Sequence, residues 1–184
     1  MATSAQPQTK GSWVMDPAHT SIEFSAKHLV ITTVRGRFEK FEVRPDFDPD
    51  HPEHSSVEVR IDASSISTRE PKRDAHLKSP DFLDAEKSPY ITFKSGRVQR
   101  KGGDRYELVG DLTIRDVTRE VVLNTTFAGI AKDPMGNEHA GFSAETSLNR
   151  KDFGLNWNMA LETGGVLVGD VIKIYIETEL VKQK

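Results

Sequence analysis

The sequence predicts an all-β protein built from antiparallel strands. Apolar and polar residues alternate along much of the chain, most regularly over 106–114 and 121–127. A repeat of two places successive side chains on opposite faces of a strand, one buried and one facing water. A chain made mostly of such strands must close a barrel or stack two sheets. We predict a barrel of roughly eight strands, the number at which the interior just holds side chains or one ligand.

The first third of the chain contains four candidate strands. They are 13–16, 20–30, 34–47 and 57–61. Pro17 ends the first of them, because proline donates no hydrogen bond to a strand ladder. Phe38 and Phe41 are not two residues apart, so the third candidate strand is expected to carry a bulge near Glu39. Asp and Pro residues predict a loop over 46–54.

Residues 63–89 interrupt the strand pattern. The triplet Ser79-Pro80-Asp81 combines a capping serine, a proline of the first turn and an acid at the positive end of a helix, so a helix is expected to begin there. We therefore predict one or two short helices that cover one end of the barrel. Candidate strands resume at 90–98, 106–114, 121–132, 138–150 and 172–180.

Composition and charge exclude several classes of function. Hydrophobic residues make up 36% of the 184 residues and charged residues 29%, as in a soluble globular protein. The formal net charge is -3. Without a basic excess to neutralise phosphates, nucleic acid is not an expected partner. The chain has no cysteine, which excludes disulfides, thiolate nucleophiles and cysteine-ligated metals.

The N-terminal residues bear on domain organisation and location. Residues 1–11 are polar, and we expect them to form a flexible tail ahead of one domain over 12–184. They contain no apolar segment typical of a signal peptide, and no run of about 18 apolar residues follows. We expect no integral membrane segment, and a cytoplasmic protein unless the chain is a mature or truncated form.

Common catalytic motifs are missing. The glycines over 164–169 lack the lysine of a phosphate loop, and neither G-x-S-x-G nor H-E-x-x-H occurs. The aspartates at 46, 48 and 50 imitate a calcium loop, but His51 and Val57 stand where that loop requires glycine and glutamate. No nucleophile is paired with a base, so we predict that the protein is not an enzyme.

The six histidines fall into two groups. Three lie in loops or after a turn and are interpreted as ordinary solvated residues: His51, His54 and His139. His19, His28 and His76 each have apolar neighbours. Three histidines could hold zinc or iron, including haem iron. The preferred interpretation is that they are hydrogen-bonded residues at the mouth or wall of a core.

Four sets of motifs resemble the signatures of the YceI-like family. They are DPAHTSIEFSAKHL (16–29) with VRGRF (34–38); RDAHL (73–77) with DFLD (81–84) and YITF (90–93); LTIRDVTR (112–119); and RKDFGL (150–155). The resemblance extends over 13–181 in order and spacing. Each motif is weak alone, but four in sequence are specific.

The resemblance implies an extended, lipocalin-like antiparallel barrel. It also implies a non-covalent ligand of the polyisoprenoid or isoprenoid-quinone type, held in the barrel for binding, storage or transport. No metal or other cofactor is implied. A homodimer is a further expectation from the family.

A tunnel for such a ligand would be lined by alternate strand residues and by the segment 73–82, the candidate lid. We expect His28 and His76 to face a polar head group, and Leu77 and Phe82 to turn inward. The candidate ligand-binding residues are Ile22, Phe24, His28, Phe38, Phe41, Val59, Ile61, His76, Leu77, Phe82, Phe93, Leu112, Ile114, Phe127, Phe142, Phe153, Trp157, Ile174 and Ile176.

Three functional hypotheses remain from the sequence. The first is a lipid carrier, and the second is a metal or haem protein or enzyme that uses His19, His28 and His76. The third is a stress-related interaction module whose core is filled. Alternation alone does not separate a packed barrel from an occupied one, because both require the same pattern.

Overall fold

In a computed structural model, which describes residues 11–184, eleven strands form one curled antiparallel sheet. The predicted all-β barrel is confirmed, with eleven strands in place of roughly eight. The predicted tail over 1–11 lies outside the described residues except for Gly11. The strands are β1 (Trp13–Met15), β2 (Ser21–His28), β3 (Thr32–Phe38), β4 (Phe41–Asp46), β5 (Ser56–Asp62), β6 (Ile66–Ser67), β7 (Tyr90–Gly102), β8 (Arg105–Ile114), β9 (Val117–Lys132), β10 (Glu138–Asn149) and β11 (Val168–Lys182).

The strands follow the order β4-β5-β7-β8-β9-β10-β11-β2-β3-β6, and β1 pairs with the end of β11 that β2 leaves free. Strands β7 to β11 form a meander of consecutive antiparallel neighbours. The barrel closes where β4 packs against β1. The rings of Trp13 and Phe47 meet there edge to face, with centroids 5.4 Å apart. Among residues 11–184, no strand pairing joins β4 to β1.

The predicted single strand over 34–47 is wrong, because the chain turns at Glu39 and Lys40 and forms two strands. The N–H of Glu39 donates to the carbonyl of Ser65, and the N–H of Lys40 donates to the Ser65 hydroxyl. These two N–H groups therefore do not continue one strand from β3 into β4. A β-bulge, in contrast, would have left a single continuous strand. Strand β3 pairs with β2 and β6, whereas β4 pairs with β5.

The helix of the 63–89 segment begins earlier than predicted. Helix α1 spans Pro71–Lys78, with Glu70 as its N-cap. The Glu70 carboxylate accepts the main-chain N–H groups of Lys72 and Arg73, and Pro71 occupies the first turn, where it needs no N–H partner. Ser79, predicted as the start, ends the helix. Among the described residues, no helix is long and apolar enough to cross a membrane.

Gly110 occupies a close approach between two strands. The pairing of β7 with β8 shifts register between Ser95 and Arg97. A Cβ atom on Gly110 would lie 2.4 Å from the carbonyl oxygen of Lys94 and 2.8 Å from the Cα of Ser95. Only glycine fits against this backbone, which explains the gap in the apolar face of β8. Bulges of this kind add the twist that curls a sheet.

The apolar side chains form two clusters inside the sheet. The larger centres on Ile22, Phe82, Phe93 and Phe153, and the smaller on Trp13 with its neighbours. Within residues 11–184, no large side chain has less than 2% of its surface exposed. A solid protein core normally contains such residues, because interiors are close-packed. The interior of this barrel is therefore hollow.

Candidate functional site

A cavity of about 660 Å³ occupies the interior of the barrel. The inward faces of most strands line it, together with α1 and the segment over 150–168. Its wall is almost entirely apolar. The volume lies within the range of roughly 300–1,000 Å³ that is typical of small-molecule sites.

The alternation of the sequence explains how the wall is built. On β11, Ile172, Ile174 and Ile176 line the cavity, while the side chains between them are exposed. These three isoleucines are only half-buried, because their inner faces border open space. The same alternation on β8 sends Leu112 and Ile114 inward.

The structure brings nearly all of the predicted ligand-binding residues to this one cavity. Those on its wall are Ile22, Phe24, His28, Phe38, Val59, Ile61, His76, Leu77, Phe82, Phe93, Leu112, Ile114, Phe127, Phe142, Phe153, Trp157, Ile174 and Ile176. Their part in binding a ligand stays a prediction.

Phe41 is the exception and does not line the cavity. It packs against the larger apolar cluster and lines an outer groove beside Met15 and Tyr90. The turn at 39–40 explains this position, because it changes the direction in which the side chain of Phe41, the first residue of β4, points. The outer groove adjoins the cavity, since Phe38 and Thr20 contribute to both.

Sequence reasoning missed several residues of the wall. Tyr106, Leu108 and Leu123 line the cavity and belong to the alternating stretches on which the barrel prediction rests. Their inward positions could have been read from that pattern. Phe47 also lines the cavity, but it follows the strand pattern into an Asp- and Pro-rich loop, where no periodicity points to it.

The end of the cavity nearest α1 carries the polar groups. The His76 ring meets the rings of Trp157 and Phe82 edge to face, with centroids 4.6 and 5.0 Å apart. Its Nε2 lies 2.9 Å from Asp81 Oδ2. Other polar residues on this part of the wall are Lys27, His28, Glu70, Lys72 and Arg73. This end can therefore meet a polar head group.

The opposite end is aromatic. The Phe127 and Phe142 rings stack with centroids 5.0 Å apart, and Phe47 meets each of them edge to face at 5.5 and 5.1 Å. Aromatic rings arranged in this way bury large apolar areas. The cavity is therefore asymmetric, with a polar end under α1 and an aromatic end below Phe47.

Arg73 and Asp74 fix the segment that leads into α1. The Asp74 carboxylate accepts from the N–H and the hydroxyl of Thr68, at 2.8 and 2.6 Å. Arg73 Nε donates to the same hydroxyl oxygen at 2.7 Å, and its guanidinium also reaches the Thr68 carbonyl. These contacts position the candidate lid against β6.

A buried arginine shapes the segment that follows β10. Arg150 is 4% exposed, and its guanidinium donates to the carbonyls of Leu155, Trp157 and Gly169 at 2.7, 2.8 and 3.0 Å. Burial lowers the pKa of Arg150, while the nearby carboxylate of Asp170 raises it. The Arg150 side chain thereby ties the loop over 150–169 across the polar end of the cavity.

The three histidines of the metal or haem hypothesis do not meet. His19 is exposed and bonded to Asp16, His28 lies on the cavity wall, and His76 belongs to α1 and contacts Trp157. In the described part of the chain, the candidate metal-ligand groups are Asp48–His51–His54 and Asp16–His19–Glu179. Neither includes two of these three, so the prediction of one site shared by them is wrong.

His139, interpreted as ordinary from the sequence, links two strands to a turn. Its ring nitrogens contact Asp133 and Glu179. The hydrogen bond to Asp133, then the one to Glu179, raises the pKa of His139. Hydrogen bonds from the Asn137 side chain and main chain, and from His139, hold the pKa of Asp133 well below its usual range.

Comparisons with known proteins agree on one family. The YceI-like domain matches residues 13–180. A UPF0312 protein of Staphylococcus aureus is 37% identical over 169 residues, which cover 91% of this chain and 96% of that protein.

Two solved structures share the fold. BcnA of Burkholderia cenocepacia superposes with a TM-score of 0.79 at 23% identity, covering 90% of this chain and 98% of its own. A polyisoprenoid binding domain from Saccharophagus degradans, implicated in plant cell wall breakdown, gives a TM-score of 0.64 at 12% identity. The match covers 95% of this chain and 100% of that one.

Proposed function

We propose that this chain, which belongs to the YceI-like domain family, binds one long amphiphilic lipid of the polyisoprenoid type inside its barrel. The observation that carries the proposal is the apolar cavity of about 660 Å³. The structural neighbour from Saccharophagus degradans supports it, since that protein is described as a polyisoprenoid binding domain.

The two ends of the cavity suggest how the lipid is oriented. The apolar tail extends toward Phe47, Phe127 and Phe142, and the head group stays beside His28 and His76. Each methylene that leaves water contributes about 0.8 kcal/mol, before the costs of ordering the lipid. A long apolar chain therefore supplies the affinity, and the few polar groups supply orientation.

The cavity supports the lipid-binding hypothesis over the filled-core hypothesis, which required a solid interior. The proposed role is storage or transport and requires no catalytic step. Within that role, a polyisoprenoid and an isoprenoid quinone are both candidates, and each would place a different head group beside α1.

Native mass spectrometry, followed by solvent extraction, tests the proposal. We expect one hydrophobic adduct per chain, identified after extraction as an isoprenoid lipid. A clean apo mass, with no uptake of an added long-chain isoprenoid, would contradict the proposal.

A substitution inside the cavity provides a matched test of the binding site. Ala144 lines the cavity, and Ala144→Phe fills part of the space that the lipid needs. We expect affinity for a fluorescent isoprenoid to fall at least about tenfold, or 1.4 kcal/mol. The control is Val122→Phe on the exposed face of β9. Unchanged affinity in Ala144→Phe would mean that the ligand binds outside the cavity, and equal loss in both variants would mean that the substitutions act through the fold as a whole.

A further inference from the structure

We infer that the loop between β4 and β5 binds a divalent transition-metal ion of the zinc class through Asp48, His51 and His54. A carboxylate oxygen and two imidazole nitrogens lie there within 4.8 Å of one another. These are donor atoms that zinc uses in proteins, and three protein ligands leave a fourth position for water. The sequence alone suggested only a solvated turn.

Asp48 is held in place before any ion arrives. The residue is 6% exposed, and its Oδ1 accepts the main-chain N–H groups of Asp50 and His51, both at 3.2 Å. Its own N–H donates to the Ser55 hydroxyl at 2.9 Å. Its Oδ2 faces His51 Nδ1 at 3.8 Å. Two atoms bonded to one tetrahedral zinc ion lie roughly 3.4 Å apart, so this pair is already close to a metal-bound separation.

The two imidazoles stand together on one short turn. A 3-10 helix over Pro52–His54 follows His51, and the N–H of His54 donates to the His51 carbonyl at 2.8 Å. Their rings stack with centroids 5.3 Å apart. Both side chains are exposed, so an ion can reach them from solvent.

Among the described residues, three of the other four histidines hydrogen-bond a carboxylate, and these two imidazoles do not. His19, His76 and His139 each hydrogen-bond a carboxylate at 3.1 Å or less. Within residues 11–184, neither His51 nor His54 makes a side-chain hydrogen bond. Their ring nitrogens are therefore available to a metal without breaking an existing bond.

The charge of the loop favours a cation. Residues 45–59 contain five carboxylates and no lysine or arginine. Glu58 is paired with Lys94 of β7 at 3.5 Å, but the segment as a whole carries an excess of acidic side chains. Such an excess attracts divalent ions and raises their local concentration. The imidazole nitrogens then favour a zinc-class ion over calcium or magnesium, which prefer oxygen ligands.

The site borders the aromatic end of the cavity. Phe47, next to Asp48 in sequence, lines that end together with Pro52 and Ser55 of the same loop. A bound ion would fix the loop over 48–54 and so hold this end of the cavity in one shape. The inference does not depend on which lipid the cavity binds.

Titration calorimetry with zinc chloride tests the site on the full chain, freed of any affinity tag and treated with EDTA. We expect one saturable zinc ion per chain and a rise in thermal midpoint when zinc is added. In His51→Ala and His54→Ala, the affinity falls at least about tenfold and the rise disappears. Both side chains are exposed, so these variants are expected to fold, which circular dichroism checks.

The matched control is His19→Ala, which removes an exposed histidine from the other candidate group, Asp16–His19–Glu179. It keeps the wild-type affinity for zinc if the inference is right. No saturable zinc binding by the wild-type chain would overturn the inference. So would unchanged affinity in both His51→Ala and His54→Ala, or a loss confined to His19→Ala.

Discussion

At the scale of single residues, Arg150 carries a buried charge and holds the segment after β10 in place. Its guanidinium satisfies three carbonyls from the segment that crosses the polar end of the cavity. Nothing in the local sequence predicts this buried position, since RKDF (150–153) has the composition of an exposed, charged turn. The carboxylate beside the guanidinium is that of Asp170, at 3.6 Å.

We predict that Arg150→Met lowers the free energy of unfolding by about 3–5 kcal/mol, because it strands several buried carbonyls and the partner carboxylate. Urea denaturation measures the change. The neighbouring Lys151 forms an exposed ion pair with Asp170, so Lys151→Met should cost less than about 1 kcal/mol. Similar losses in the two variants would contradict the structural role of Arg150.

His139 gives the fold a defined dependence on pH. Folding raises its pKa, so its contribution is fully present below the ordinary histidine value of 6.5 and is lost as pH rises through the folded value. Asp133 has a lowered pKa, so its contribution is present above 3.8 and is lost as pH falls toward the folded value. The pair stabilises the fold most between these two limits.

We predict that His139→Gln lowers the thermal midpoint more at a pH of about 5.5 than at about 9. At the higher pH more of the wild-type imidazole has lost its proton, and with it the charged part of its contribution. Comparing the two proteins at each pH cancels the titration of all other groups. If the midpoint difference is the same at both pH values, the charge on His139 contributes nothing to stability and only the packing of the side chain matters.

At the scale of elements, the residue predicted to begin α1 stands at its C-terminal end. Ser79 and the proline after it have the composition of a helix start, but the Glu70 carboxylate caps the helix nine residues earlier in the chain. Glutamate is an unusual N-cap, so the N-cap signal at Ser79 is the stronger of the two. The strands, in contrast, were located well, because alternation over ten or more residues is a strong pattern.

We predict that Glu70→Ala loosens α1 by about 1 kcal/mol, because two main-chain N–H groups lose their acceptor. Hydrogen exchange at the Asp74 amide, which donates to the Glu70 carbonyl, should accelerate roughly fivefold. The control is Lys72→Ala, which keeps the capped N–H and removes only the side chain. If exchange in Glu70→Ala matches that of Lys72→Ala, the carboxylate does not cap the helix.

At the scale of the whole molecule, the fold class followed from the sequence, while the closure of the barrel did not. The pairing of β11 with both β2 and β1 joins residues 140 or more positions apart. Such pairing depends on packing that local patterns do not encode. Alternation predicts which residues point inward, so the wall of the cavity could be predicted residue by residue. Whether the interior is filled depends on long-range packing, so the empty space could not be predicted. The homodimer stays a prediction.

A hollow interior predicts that stability depends on the ligand. With free ligand at 100 times the dissociation constant, binding stabilises the folded state by about 2.7 kcal/mol. For a chain of this length that corresponds to a rise in thermal midpoint of roughly 5–10 °C. Calorimetry before and after lipid extraction, and after adding the lipid back, measures this rise. An unchanged midpoint in the delipidated protein would indicate that the cavity holds nothing that stabilises it.

The contact between β1 and β4, here called the seam, can open without unfolding of the sheet. Side chains such as Trp13 and Phe47 hold it, and within the described residues no strand ladder crosses it. Parting the seam therefore leaves the backbone hydrogen bonds of the sheet intact. We therefore expect the proposed lipid to be released by local motion, on the microsecond-to-millisecond scale, whereas the amide protons of the central meander exchange only on rarer, global opening. The lifetime of the complex would then be independent of the rate at which the whole barrel unfolds.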